Sequence, residues 1–146
     1  MKLYFEDLEE GAVFPGDECL VDRDEMLQYA LKNDPSPIHV DEEAARTSPY
    51  GGLIASGGYT VTLWYRSAIP VVTKLAFLGG FEWHIKLPLP VRAGDALRTE
   101  VTILSKKASS KAGRGYVTAL HRVLNQKDQV VFTCEVVWMI GAKASA

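Results

Sequence analysis

Apolar and polar residues alternate through the second half of the chain. Leu97, Thr99, Val101 and Ile103 alternate with Arg98, Glu100 and Thr102, and Val117, Ala119, His121 and Val123 alternate with Thr118, Leu120 and Arg122. Val130, Phe132, Cys134, Val136, Trp138 and Ile140 form one unbroken apolar face. A period of two is the mark of a strand with one face buried. Phe81 to Leu87 is a fourth strand candidate, closed by Pro88 and Pro90, and turns fall at Ala93-Gly94-Asp95, Ser109 to Gly113 and Asn125 to Asp128.

The first half is shorter in its elements and richer in turn residues. A strand is expected around Val13 to Val21. Asp22 or Asp24 caps a helix over Glu25 to Lys32, which Asn33-Asp34-Pro35-Ser36-Pro37 must end in a stiff, extended segment. Asp41 opens a short helix through Arg46, and Pro49-Tyr50-Gly51-Gly52 is a loop. Ser56-Gly57-Gly58 begins a helix that should run to about Ile69, before Pro70. Its Tyr59, Val61, Leu63, Trp64, Tyr65, Ala68 and Ile69 lie nearly all round the cylinder, with Arg66 the only charge, so it should be buried on most sides. Four strands in meander order after one central apolar helix predict an α+β fold, a curved antiparallel sheet around that helix. The free edge of such a sheet is a hazard unless covered, so two sheets pairing in a dimer are expected.

Length and composition narrow the class. The 146 residues fit one domain, 1–146, able to hold its core without a disulfide or metal staple. Apolar residues make up 47% and charged residues 23%, the balance of an ordinary globular protein. Sixteen Lys+Arg against eighteen Asp+Glu give a net charge of −2, which speaks against a nucleic-acid surface. Cys19 and Cys134 make no C-x-x-C, no apolar run is long enough for a membrane span, and charge interrupts the first residues before a signal-type segment forms; the expected address is the cytoplasm.

The densest chemistry lies between Tyr29 and Gly58. Asp34-Pro35-Ser36-Pro37-Ile38-His39 places a carboxylate and an imidazole five residues apart on a stiff segment, as a general acid/base pair requires. Taken alone, the segment also fits a turn cap beside a solvated histidine. Gly57-Gly58 at a helix start offers unpaired N–H groups that could polarise a carbonyl, or simply permits a tight approach of the backbone. Trp64, Tyr65, Trp83 and Trp138 read as core or interface, and His84 and His121 as structural residues on strands. His39, His84 and His121 share no metal-ligand spacing, so no metal is expected. Lys106, Lys107, Lys111 and Arg114 make a basic hairpin tip, either solvated or facing phosphates.

These residues carry a resemblance to the MaoC-like dehydratases, the hydratase-2 family of (R)-specific enoyl-CoA hydratases. Tyr29, Leu31, Asp34, Pro37, Ile38, His39 and Ala45 fall in register with that family's motif. Tyr50 to Gly57 resembles its segment leading into the central helix, and Tyr4 to Gly11 and Pro90 to Asp95 resemble its other phrases. Asn33 stands where the family usually has Gly, Ser36 where it has Asn, and Lys32 where it has a small residue. The resemblance implies a hotdog fold and a homodimer or multiple of dimers. It implies a thioester substrate, on coenzyme A or acyl carrier protein, with no cofactor besides the coenzyme A of the substrate. It makes Asp34 and His39 the catalytic pair acting on one water. It gives Gly57 N–H to the thioester oxygen, and places Thr62 where relatives often carry a Ser near the carboxylate. Hydration of a trans-2-enoyl-CoA to the (R)-3-hydroxyacyl thioester is the expected reaction. Thioester hydrolysis on the same fold, or acyl-thioester binding without catalysis, are the alternatives.

Overall fold

The computed structural model describes residues 1–144. After a single 3-10 turn at Phe5–Asp7, strand β1 (Val13–Leu20) leads into helix α1 (Arg23–Asn33). Asp22 caps α1, its carboxylate accepting the Glu25 N–H at 2.8 Å, while Asp24 and Glu25 suit the positive end of the helix. Pro35 ends the helix by barring α conformation at Asp34, which lies at φ −158°. The stiff segment is shorter than its two prolines suggest. Only residues 34–36 lie between helices, because Pro37 opens the helical turn α2 (Pro37–Val40), where a missing N–H leaves no bond unmade. Asp41 then caps α3 (Glu42–Arg46) through the N–H groups of Glu43 and Ala44.

Helix α4 (Gly57–Lys74) continues through Pro70, where the sequence pattern ends it at Ile69. Arg66, whose carbonyl Pro70 cannot pair, is on the exposed side, and Val71 and Leu75 bury completely just beyond. Packing of the last turn therefore outweighs the lost bond. The helix is also not enclosed on most sides within one chain. Tyr59, Leu63, Trp64, Ser67, Ala68 and Val71 are buried, but Tyr65 and Ile69 are about half exposed.

Strands β2 (Phe77–Lys86), β3 (Ala96–Ala108), β4 (Arg114–Leu124) and β5 (Val130–Gly141) complete one antiparallel sheet in the order β1-β3-β4-β5-β2. The meander holds for β3, β4 and β5. It fails for β2, which begins four residues before the expected Phe81 and pairs with β5, leaving β1 to flank β3. The β2–β3 connection is not a hairpin: Leu87 to Asp95 passes over the helix start, with Val91 O accepting the Ala55 N–H at 2.8 Å and Asp95 O accepting that of Val21 at 2.9 Å.

Inward-facing Leu97, Val101, Ile103, Val117, Ala119, Phe132, Cys134, Val136 and Ile140 wrap α4. Where a bulge between Pro15 and Glu18 breaks the β1–β3 ladder, Ser67 of α4 replaces it, accepting the Thr99 N–H at 2.8 Å and donating to Asp17 O at 2.5 Å. His121 is fully buried between Trp64 and Trp138, and its Nδ1 accepts the Trp64 indole N–H at 2.8 Å. Burial pushes this imidazole down to about 3, so the ring is neutral. No helix among the described residues is long and apolar enough to cross a membrane.

Candidate active site

Three pieces of chain converge at the start of α4. The end of α1 supplies Asp34, α2 supplies His39, and residues 54–57 supply Ile54 O, Ser56 and Gly57. The N-terminal half of α4 is anchored by α1. Its Glu25 carboxylate accepts from the Tyr59 hydroxyl at 2.6 Å and pairs with Arg66, both on α4. Arg66 first, and the Tyr59 hydroxyl second, hold the Glu25 carboxyl below its ordinary range, and burial beside Glu25 raises the Tyr59 phenol. Tyr29 packs on Tyr59 with ring centroids 5.6 Å apart, and its hydroxyl occupies the space that a side chain at position 58 would need. Glycine at 58 thus serves close approach of α1 to the helix start.

His39 is buried, and its Nδ1 lies 2.8 Å from Ile54 O. A carbonyl only accepts, so Nδ1 carries the proton, and Nε2 of the neutral ring is the basic nitrogen. Nε2 faces Asp34 Oδ2 at 3.4 Å. Asp34 is about half exposed and His39 nearly enclosed, so the pair is reached from the carboxylate side.

Ser56 occupies the cap position of α4, yet its hydroxyl does not accept from the first turn; it donates to Asp34 Oδ2 at 2.8 Å. The first N–H groups of α4 therefore keep no side-chain cap, and Gly57 and His39 both line a pocket of about 360 Å³ walled by Tyr50, Ile54, Leu87 and Pro88. A donor at a helix start and a base lining one hollow, with a carboxylate against that base, can activate water and stabilise an oxygen that gains negative charge.

Of the residues expected from the sequence, Asp34 and His39 meet, and Gly57 lines the same pocket as His39. Thr62 stands apart, its hydroxyl donating to Gly58 O at 3.1 Å, one turn back on its own helix. Ser56 escapes the sequence reading because a Ser before Gly-Gly looks like a helix cap. Lys106 leaves the basic tip: its ammonium donates to Phe5 O at 2.8 Å and lies 4.6 Å from the centre of the Phe5 ring. Lys107, Lys111 and Arg114 line a separate groove with Ser105 and Tyr116 on the other end of the sheet. A larger apolar hollow of about 580 Å³, lined by Trp64, Tyr65, Ile69, Phe77, Phe81 and Trp83, lies along the exposed side of α4 and includes neither Asp34 nor His39.

The chain has relatives. An uncharacterized protein, YdeM, of Bacillus subtilis is 33% identical over 131 residues, covering 86% of this chain and 89% of that one. An (R)-specific enoyl-CoA hydratase of Rhodospirillum rubrum is 31% identical over 102 residues, covering 68% and 69% of the two chains. The crystal structure of a MaoC-like dehydratase from the same organism superposes with a TM-score of 0.91 at 33% identity, covering 98% of this chain and 99% of that one. The sequence profile of the MaoC like domain matches residues 10–125, and with this helix wrapped in this sheet the chain belongs to the MaoC-like dehydratase family of hotdog-fold enzymes.

Proposed function

We propose that the protein reversibly hydrates a trans-2-enoyl thioester, carried on coenzyme A or an acyl carrier protein, to the (R)-3-hydroxyacyl thioester. The observation that carries the reading is the meeting of Asp34 with His39, whose ring lines one pocket together with Gly57 at the uncapped start of α4. Asp34 and His39 hold one water. Its oxygen adds to the β-carbon as a proton leaves for the basic pair, and the double-bond electrons move onto the thioester as an enolate. Gly57 N–H donates to that thioester oxygen as its charge grows. A proton delivered from the same pair to the α-carbon re-forms the thioester carbonyl, so the sum is one water added across the double bond. The thioester oxygen held at the helix start and the water held on one rigid loop fix which face of the double bond is attacked. Support for the (R) hand comes from the (R)-specific hydratase relative.

An assay following loss of the enoyl thioester absorbance, with a thiol reagent present and chiral analysis of the product, tests the reading. Loss without free thiol and a pure (R) product are expected. Release of free thiol would make the protein a thioesterase, and binding with neither change would make it a non-catalytic acyl-thioester-binding protein.

A further inference from the structure

We infer that Ser56, rather than Thr62, is the hydroxyl that positions the Asp34 carboxylate for the water. The inference rests on the hydration reading and adds to it a positioning residue. Ser56 is 2% exposed, and its hydroxyl donates to Asp34 Oδ2 at 2.8 Å, the same oxygen that faces His39 Nε2 at 3.4 Å. With Oδ2 engaged from two sides, Oδ1 has no hydrogen-bond partner among the described residues, and the side chain as a whole is about half exposed. One hydroxyl thereby selects which carboxylate oxygen serves His39 and which remains for water.

The helix forgoes a cap for this contact. A Ser at the cap position normally accepts an N–H of the first turn, but here no such bond forms. The geometry has a second consequence, because Ser56 is the chain neighbour of Gly57. The bond ties the loop that carries the acid and base to the helix start that would hold the thioester oxygen, so the two halves of the site keep a fixed separation. Thr62 cannot supply this contact while its hydroxyl is committed to Gly58 O.

Steady-state kinetics of Ser56→Ala, Ser56→Gly and Thr62→Val on an enoyl thioester that the wild type turns over test the inference. A lost bond to a charged group is worth about ten- to a hundredfold in rate. Both Ser56 variants are expected to lose about that much kcat with KM changed less than about threefold, and Thr62→Val to lose less than either. Ser56→Gly guards against a folding effect, since glycine is well tolerated at a helix start. Wild-type kcat in either folded Ser56 variant, a loss confined to KM, or a larger loss in Thr62→Val overturns the assignment. Failure of the wild type to turn over any enoyl thioester overturns the hydration reading itself, a result distinct from these.

Discussion

Asp34 is held by a hydroxyl and an imidazole, and His39 by a backbone carbonyl, so each has its orientation set by a neighbour. Replacing Asp34 with Asn, or His39 with Ala, should lower hydration turnover by about two to four powers of ten, the usual worth of a positioned acid or base. Both variants should keep the wild-type circular dichroism, since neither side chain fills the apolar core. Folded variants with wild-type rates would remove the pair from the mechanism. The pair was legible in the sequence because two prolines dictate local backbone, and local geometry is what a short motif encodes. Ser56 was not legible, because its partner arrives from another helix and only the packing of α1 against α4 decides between capping and reaching Asp34. His121 offers a second test at this scale. The unfolded chain protonates this ring below about 6.5, whereas the folded ring refuses the proton until about 3. Stability from this group is therefore full above the upper value and is lost as pH falls through that window, by about 1.4 kcal/mol per pH unit. Urea unfolding at about pH 7 and about pH 4.5 should show the wild type losing about 2.5 kcal/mol more than His121→Gln. Equal losses would mean that the ring is not buried neutral.

The same contrast between local and distant causes holds for the elements. The caps at Asp22 and Asp41 and the period-two strands follow from neighbours in sequence, and they form where the sequence places them. Pro70 and the place of β2 do not. Proline stops a helix only when nothing beyond it gains by continuing, and here Val71 and Leu75 gain full burial. A strand followed by a turn normally pairs with the next strand, but the β2–β3 connection is drawn across the helix start by its bonds to Ala55 and Val21, which sends β2 to the far side of β5. The close fit of β1 to α4 gives this scale its prediction. A Cβ at Gly16 would sit 2.2 Å from the backbone oxygen of Ser67 and 3.2 Å from that of Thr99, with no flexible side chain to yield. Gly16→Ala should cost about 2–4 kcal/mol in urea unfolding, toward the upper range of single substitutions, because backbone on both sides must move. A variant as stable as the wild type would show that the helix and strand are not so closely seated.

For the whole molecule the two edges of the sheet are built differently. On β1 the edge is broken by Pro15 and a bulge and carries Asp17 and Glu18, devices that discourage pairing. On β2 the edge presents Phe77, Leu78, Phe81 and Trp83, each about 39–59% exposed, beside the exposed Tyr65 and Ile69 of α4. All of these but Leu78 border the apolar hollow of about 580 Å³. A patch of this kind on a single chain marks a contact surface, and the occupant that fits an unpaired strand edge and an apolar helix flank together is a second copy. A two-fold axis through that edge would pair β2 with itself antiparallel. Sedimentation at micromolar concentration should therefore give a dimer or a multiple of dimers. Phe81→Asp, which puts a charge into the joined edge without touching Asp34 or His39, should shift the protein toward monomer while leaving its circular dichroism unchanged. A wild type that stays monomeric at that concentration would leave the β2 edge without its partner, and a Phe81→Asp protein that stays fully dimeric would place the interface on another face.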